Sequence, residues 1–189
     1  MALDDKKIRT ALKKRLFLAR IKPLSILDEL GVENGRAIAD VVAVYKFCHC
    51  FEIKSELDSL NRLDRQTDFY NRTFEKVTLI VTEKHLEAAI EKIPEFWGVI
   101  VVRESGGRVI FRNFRKSGVN KNIDPMAILS SLWKEELAQV YNEIYQRNPP
   151  ASWSRDRISK ELSHISVRFA LDIFAQAMST RLQRKLLII

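Results

Sequence analysis

The chain has 189 residues, of which 46% are hydrophobic and 30% are charged, and this composition excludes a disordered segment and favours a folded domain with a buried core. The formal net charge of +8 favours acidic partners, nucleic acid first and an anionic membrane second. No apolar run approaches the roughly 18 residues of a membrane span, and the first residues, MALDDKKIRTALKKRL, lack the uninterrupted apolar core of a signal peptide. We therefore expect a cytoplasmic protein that does not associate with membranes.

Helical and strand patterns alternate over the first two thirds of the chain. The predicted elements, in chain order, are a helix over 4–20, a short helix over 25–31, strands over 37–45 and 48–54, a helix over 58–71, a strand over 76–82, a helix over 84–93, and strands over 97–102 and 108–113. The short helix is predicted because Ser25 can cap it and Gly31 can end it. This order predicts an α/β fold with a mixed central sheet flanked by helices.

The pattern becomes purely helical after the polar linker SGVNKNIDP. Asp124 and Pro125 form a cap and first-turn pair, and apolar residues then recur at helical spacing up to the Asn-Pro-Pro sequence at 148–150. The stretch 154–187 contains neither proline nor glycine and predicts one or two further helices. We therefore predict a core domain over 1–118 and an all-helical C-terminal extension over 119–189.

Three charged residues stand within the two apolar strands over 37–45 and 48–54. Glu52 and Lys54 share one face of their strand, roughly 6.6 Å apart along it, and a hairpin would bring Asp40 of the preceding strand opposite them. Two carboxylates with converging oxygens suit Mg²⁺, and a neighbouring lysine can position water or offset developing negative charge. The three residues therefore predict metal-assisted hydrolysis of a phosphodiester.

This arrangement resembles the PD-(D/E)xK nuclease superfamily, in which an aspartate on one strand precedes a Glu-x-Lys on the next, as Asp40, Glu52 and Lys54 do here. The order of helices and strands also resembles the restriction-endonuclease-like core of that superfamily. A further acid often comes from an early helix in that superfamily, and Glu29 in ILDELG stands where that acid is expected. The resemblance covers residues 25–102.

The helix after the Glu-x-Lys strand carries Gln66 and Tyr70, whose spacing is similar to the QxxxY motif of RecB-type nucleases and CRISPR adaptation nucleases. A spacing of four places both on one helical face, with Arg62 one turn earlier. The stretch from ELG to FYN looks like a bacterial family within the superfamily, one without an established substrate.

The resemblance implies a metal-dependent phosphodiesterase, a nuclease whose substrate is nucleic acid, and it favours DNA over RNA as that substrate. The implied catalytic residues are Asp40, Glu52 and Lys54, the lysine orienting the attacking water. The implied ligands of Mg²⁺ or Mn²⁺ are Glu29, Asp40, Glu52 and the backbone carbonyl of Ile53. The residues implied for substrate binding are Arg62, Gln66 and Tyr70. A homodimer would make it easier to cut both strands of a duplex.

Each of these patterns also has a purely structural interpretation. The acid-acid-lysine set can be an internal ion-pair cluster, Glu29 a solvent-facing acid, and Gln66 with Tyr70 part of an ordinary amphipathic helix. Two other functions stay open: a nucleic-acid-binding module that keeps the nuclease fold without catalysis, and a protein-interaction domain whose charge serves solubility.

The sequence Cys48-His49-Cys50 does not predict a zinc site. Strand alternation places both cysteines on the Glu52 face and His49 on the opposite face, so the three side chains cannot easily share one metal ion. We therefore expect two small buried cysteines.

Overall fold

The computed structural model describes the backbone of residues 3–186 and the side chains of residues 3–181. Its helices and strands are α1 (Asp5–Phe17), β1 (Ser25–Val32), β2 (Ala37–Val44), β3 (Cys48–Lys54), α2 (Leu63–Thr73), β4 (Lys76–Thr82), α3 (Leu86–Ile90), β5 (Gly98–Ser105), β6 (Arg108–Arg115), α4 (Pro125–Leu129), α5 (Lys134–Tyr145), α6 (Arg155–Glu161) and α7 (Val167–Leu186). A short 3₁₀ turn, Glu83–His85, precedes α3. The predicted α/β class is confirmed.

The six strands form one mixed sheet in the order β1-β2-β3-β4-β5-β6. The central neighbours β3, β4 and β5 are parallel, and the outer pairs β1–β2, β2–β3 and β5–β6 are antiparallel. The long apolar runs of β3 and β4 are buried on both faces of the sheet, as parallel strands require. Helices α1, α2, α3 and α7 pack directly on this sheet.

Helix α1 covers one face of the sheet. The Asp4 carboxylate accepts a hydrogen bond of 2.8 Å from the Lys7 amide and so caps the helix. Its buried stripe, Ile8, Leu12 and Leu16, packs against apolar side chains of β2, β3 and β4. The opposite face of α1 is basic and points to solvent, as its amphipathic pattern predicts.

Helix α2 and the C-terminal helices cover the other face. One continuous apolar core joins Val42 of β2, Tyr70 of α2, Leu137 of α5 and Phe174 of α7. The C-terminal helices thus bury the same sheet face as α2. The boundary predicted between 118 and 119 stays a prediction. None of the helices within residues 3–186 combines the length and the apolar character needed to cross a bilayer.

The predicted short helix over 25–31 is wrong, because this segment is the strand β1. Leu27, Leu30 and Val32 are buried against the sheet, and β1 pairs with β2 along its length. Glu29 interrupts the pairing with a φ of 52°, between the pairs formed by Asp28 and Leu30. The register is the same on both sides of Glu29, so the irregularity is a local left-handed distortion of the edge strand without an inserted residue.

Two other predicted helices differ in extent. Helix α2 begins at Leu63 rather than at residue 58, because the Asp58 carboxylate accepts hydrogen bonds from the amide and hydroxyl of Ser55 and closes a turn there. The helix predicted to run on from Pro125 is divided into α4 and α5. The Glu136 carboxylate accepts a 2.8 Å hydrogen bond from the Trp133 amide and starts the second of the two.

The predicted β2–β3 hairpin is confirmed despite its lack of a strong turn sequence. Val44 pairs with Cys48, and the Tyr45 amide donates to the Phe47 carbonyl at 2.8 Å. This register continues to the pair Val41–Phe51, so the hairpin directs Asp40 towards Glu52.

Candidate functional site

Asp40 stands where β2 and β3 separate. The ladder between the two strands ends at the pair Val41–Phe51, and the Ile53 amide donates instead to the Asp40 carboxylate at 2.8 Å. The carboxylate therefore replaces the backbone carbonyl that a continued ladder would supply. The strands open at this point, and a cleft begins beside Asp40.

Glu52 and Lys54 form a buried ion pair next to this opening. Their side chains are 1% and 5% exposed, and the Lys54 Nζ lies 2.7 Å from a Glu52 carboxylate oxygen. Gln66 of α2 accepts a hydrogen bond of 3.0 Å from Lys54. Strand alternation places the two charges on one face of β3, as predicted, and α2 supplies the polar groups that surround them.

Tyr70 of α2 completes the polar cluster. Its hydroxyl lies 2.8 Å from the second Glu52 carboxylate oxygen and 2.6 Å from the Ile38 carbonyl of β2. Gln66 lies at 3.5 Å from the same hydroxyl. Burial and the Glu52 charge raise the pKa of Tyr70, so the hydroxyl keeps its proton and acts as a donor.

Arg9 of α1 connects the cluster to the opposite wall of the cleft. Its guanidinium lies 3.3 Å from Asp40, 3.3 Å from Glu29 and 3.1 Å from Asp5. Burial alone would lower the pKa of Arg9, but these carboxylates raise it, so the guanidinium stays charged. Arg9 could not be predicted from the sequence, because a basic residue on an amphipathic helix is usually just part of its solvated face.

Burial and the neighbouring Glu52 charge raise the pKa of Asp40 to about 7. The hydrogen bond from Ile53 lowers this pKa and offsets only part of the effect. At neutral pH the Asp40 carboxylate is therefore about half ionised and sits in an environment that favours added positive charge. A displaced pKa of this kind within a cleft is typical of functional sites, although structural ion pairs produce it too.

The cleft has a volume of about 490 Å³ and lies between α1, the open ends of β2 and β3, and α2. Five carboxylates and five basic side chains line it: Asp5, Glu29, Asp40, Glu52, Asp58, Arg9, Arg36, Lys54, Arg62 and Arg65. Three of the arginines, at positions 36, 62 and 65, are exposed. A cavity of similar size, about 500 Å³, lies on the far side of β1 and shares with the cleft the predicted residue Glu29.

The structure brings together five of the predicted site residues: Asp40, Glu52, Lys54, Gln66 and Tyr70. Ile53 and Arg62 line the same cleft. Glu29 reaches only its rim, where its side chain is 72% exposed and paired with Arg9. Within the described residues, no group of three or more histidine, cysteine, aspartate or glutamate side chains is arranged to hold a metal ion. The predicted role of Glu29 as a third ligand therefore has no geometric support.

The residues at 48–50 lie outside the site. Both cysteines are buried and free, as predicted. His49 contacts the Thr78 hydroxyl at 2.8 Å and stacks on Phe51, and burial lowers its pKa to about 3. His49 is therefore a neutral structural residue at physiological pH.

Comparison with known proteins identifies the family. A family model described as "Bacteriophage P4 protein cII" matches residues 2–186. The chain belongs to the bacteriophage P4 cII family. Protein cII of Enterobacteria phage P4 is 28% identical over 142 residues, an alignment that covers 75% of this chain and 54% of that protein. The chain thus spans about half the length of this curated relative of the P4 cII family.

Among solved structures, the protein SPO1766 of unknown function from Silicibacter pomeroyi is similar with a TM-score of 0.45 and 13% sequence identity. The match covers 82% of this chain and 100% of that one.

The assignment to the PD-(D/E)xK nuclease superfamily is wrong. The P4 cII family model covers nearly the whole chain, and neither its description nor that of the relative names a nuclease. The predicted nuclease function and the predicted bacterial family rest on that assignment, and they are wrong as well. The distances among Asp40, Glu52, Lys54 and the side chains around them do not depend on that assignment.

The raised pKa of Asp40 predicts a pH-dependent stability. In the folded protein Asp40 holds its proton up to about pH 7, whereas the unfolded chain releases it near pH 3.8. The stabilisation is fully present below pH 3.8 and is lost as the pH rises through 7, on the order of a few kcal/mol at most. Urea unfolding across this pH range should show that the free energy of unfolding of the wild type declines as the pH rises. The decline should be smaller in Asp40→Asn. An identical decline in both proteins would contradict the assignment to Asp40.

The buried pair of Glu52 and Lys54 predicts a non-additive pair of substitutions. Lys54→Met leaves the Glu52 charge buried and should lower the free energy of unfolding by about 3–5 kcal/mol. Adding Glu52→Gln removes that charge and should restore much of the loss. Urea unfolding of both variants measures this. The more exposed pair Lys92–Asp64, 2.6 Å apart, is the control, since Lys92→Met should cost at most about 1 kcal/mol. A double variant no more stable than Lys54→Met would contradict this account of the pair.

Proposed function

We propose that the protein binds nucleic acid in the cleft beside Asp40, with a divalent cation, Mg²⁺ or Mn²⁺, linking the carboxylates of Asp40 and Glu52 to a backbone phosphate. The observation that carries the proposal is the meeting of the buried Glu52 carboxylate and the half-buried Asp40 carboxylate with three exposed arginines in one cleft. The prediction of metal-dependent catalysis, the restriction-endonuclease-like description of the core and the homodimer all stay predictions. None of them is needed for binding.

The donor set of the cleft fits a hard cation. Asp40 and Glu52 offer carboxylate oxygens, and the Ile53 carbonyl is a further oxygen donor of the same segment. Mg²⁺ is commonly held by one or two carboxylates, with waters and phosphate oxygens as its remaining ligands. Burial and, after it, the Glu52 charge raise the pKa of Asp40, and a cation here supplies positive charge that offsets both effects.

The three exposed arginines supply contacts for a phosphate backbone. Within the described residues, Arg36, Arg62 and Arg65 form no ion pair with a carboxylate. The guanidinium groups of Arg36 and Arg65 each lie 5.7 Å from the ring of Phe69, and Arg65 donates to the Arg36 carbonyl at 3.4 Å. These neutral partners orient the groups without cancelling their charge. Such arginines give nucleic-acid affinity that is independent of sequence and sensitive to salt.

The charge balance of the cleft explains why a cation matters. Carboxylates and basic side chains line it in equal number, so these side chains by themselves attract a polyanion only weakly. Lys54 is committed to Glu52, and Arg9 is shared among three carboxylates. A bound divalent cation tips this balance towards positive charge, so we expect nucleic-acid binding to depend on it.

Fluorescence anisotropy with labelled oligonucleotides tests the proposal. Single- and double-stranded DNA and RNA are compared in Mg²⁺ and in chelator at equal ionic strength, because backbone phosphates are common to all of them. We expect binding about tenfold tighter in Mg²⁺, and Asp40→Asn should abolish that difference. The combined variant Arg62→Ala, Arg65→Ala should weaken binding and lower the slope of affinity against salt by about two.

Arg147→Ala is the matched control, because Arg147 is exposed and lies beyond α5, away from the cleft. It should leave both the affinity and the Mg²⁺ effect unchanged. Binding that ignores Mg²⁺ and survives loss of Arg62 and Arg65 would overturn the proposal. Absence of binding to any of the four nucleic acids would overturn it as well.

A further inference from the structure

A second groove runs along the flank of α1 that faces away from the cleft. It has a volume of about 680 Å³ and lies between α1 and the hairpin formed by β5 and β6. Its walls carry the basic residues Lys14, Arg15 and Arg108 and the apolar residues Leu18, Ile110 and Phe111. It shares none of its lining residues with the cleft.

The basic residues of α1 are sorted between its two flanks. On the cleft side, Arg9 contacts three carboxylates and Lys13 lies 2.6 Å from Asp28. On the groove side, Lys14 and Arg15 form no ion pair with any carboxylate in the described part of the chain. Arg15 is instead oriented by the Asn113 amide oxygen at 3.4 Å and by the Phe111 ring at 5.2 Å. The groove therefore presents uncompensated positive charge.

Arg108 extends this charge along the opposite wall, and it too lacks a carboxylate partner among the described residues. One acid, Glu104, lines the groove, and it lies 3.6 Å from Lys7. The charges in the groove thus favour an acidic ligand by a clear margin.

The groove also exposes apolar surface and a free sheet edge. Leu18 is 68% exposed and Ile110 is 40% exposed. Strand β6 is the last strand of the sheet, so one row of its backbone N–H and C=O groups has no neighbouring strand within the described residues. The glycines at 106 and 107, with φ of 56° and 72°, form the tight turn that holds β6 beside β5.

We propose that this groove binds an extended, acidic segment of a partner protein, which adds to β6 as a further strand. Backbone hydrogen bonds to the free edge would supply affinity, as in other cases of strand addition. In the added strand, side chains would alternate between the two faces. On the face that α1 covers, acidic residues would meet Lys14 and Arg15. On the opposite face, apolar residues would cover Ile110, which alternates with Phe111 along β6.

Two other occupants fit the groove less well. A second copy paired through β6 would bring Arg108, Arg112 and Arg115 of both chains close together, and like charges across strands are destabilising. A nucleic-acid backbone would satisfy the basic residues but neither the aliphatic surface nor the row of backbone groups. Arginines on an edge strand also discourage aggregation, but that role does not require Lys14 and Arg15 on the facing helix.

The test uses a labelled peptide of alternating glutamate and valine, about eight residues long to match β6. We expect it to bind the full chain, and we expect the combined variant Lys14→Glu, Arg15→Glu to weaken binding at least about tenfold. Lys6→Glu is the matched control, since Lys6 is exposed on the same helix outside the groove, and it should change binding little. Hydrogen–deuterium exchange should show new protection of the amides of β6 when the peptide is bound.

Circular dichroism confirms that each variant is folded, so that a loss of peptide binding reports on the groove. The proposal would be overturned if the peptide does not bind. It would also be overturned if the combined variant Lys14→Glu, Arg15→Glu binds the peptide as well as the wild type does. Protection elsewhere with none in β6 would overturn it also. If a DNA oligonucleotide or anionic lipid vesicles bind through Lys14 and Arg15 while the peptide does not, the groove has a different occupant. The result of this peptide test does not depend on whether the cleft binds nucleic acid, because the test of the cleft uses variants of different residues, Asp40 and Arg62 among them.

Discussion

The buried pair of Glu52 and Lys54 is the interaction on which the rest of the site depends. Burying one charge without the other is costly, so the pair must form wherever β3 enters the sheet. Glu52 also requires Tyr70, and Lys54 requires Gln66, which fixes α2 over β3. Through the Ile38 carbonyl, the Tyr70 hydroxyl further connects α2 to β2. One ion pair thus sets the positions of two strands and a helix around the cleft.

The cleft exists because β2 and β3 stop pairing before their ends. Asp40 satisfies the Ile53 amide with its side chain and so permits the strands to part. Because the Asp40 carboxylate takes the place of a backbone carbonyl, it lies in a partly buried position, where the pKa of Asp40 rises to about 7. Arg9 compensates part of that charge from α1. The structural solution to opening the sheet therefore also creates a site that favours a cation.

The central sheet and most of the site could be predicted from local pattern. The apolar, β-branched runs of β2 and β4 favour buried strands, and alternation along β3 places Glu52 and Lys54 on one face. Strand β1 carries a helix-like pattern in the sequence, because the left-handed backbone at Glu29 shifts the alternation of its side chains. Leu27 and Leu30 consequently both point inward at a spacing of three, which imitates a helical stripe.

Two further features could not be predicted correctly from local sequence patterns: the contacts of Arg9 and the family of the protein. The partners of Arg9 on β1 and β2 are 20 and 31 residues away, and no local pattern reveals such a contact. The nuclease assignment failed for a different reason. A constellation of two acids and a lysine is short and recurs on unrelated proteins, so it describes a local geometry without identifying a family.

The most direct test of a cation site at Asp40 is a titration with Mn²⁺ followed by electron paramagnetic resonance. The account predicts that the wild type binds Mn²⁺ and that Asp40→Asn removes this binding. Glu29→Gln should retain it, because Glu29 is exposed at the rim and paired with Arg9. Mn²⁺ bound equally well by Asp40→Asn, or not bound by the wild type, would contradict the central claim.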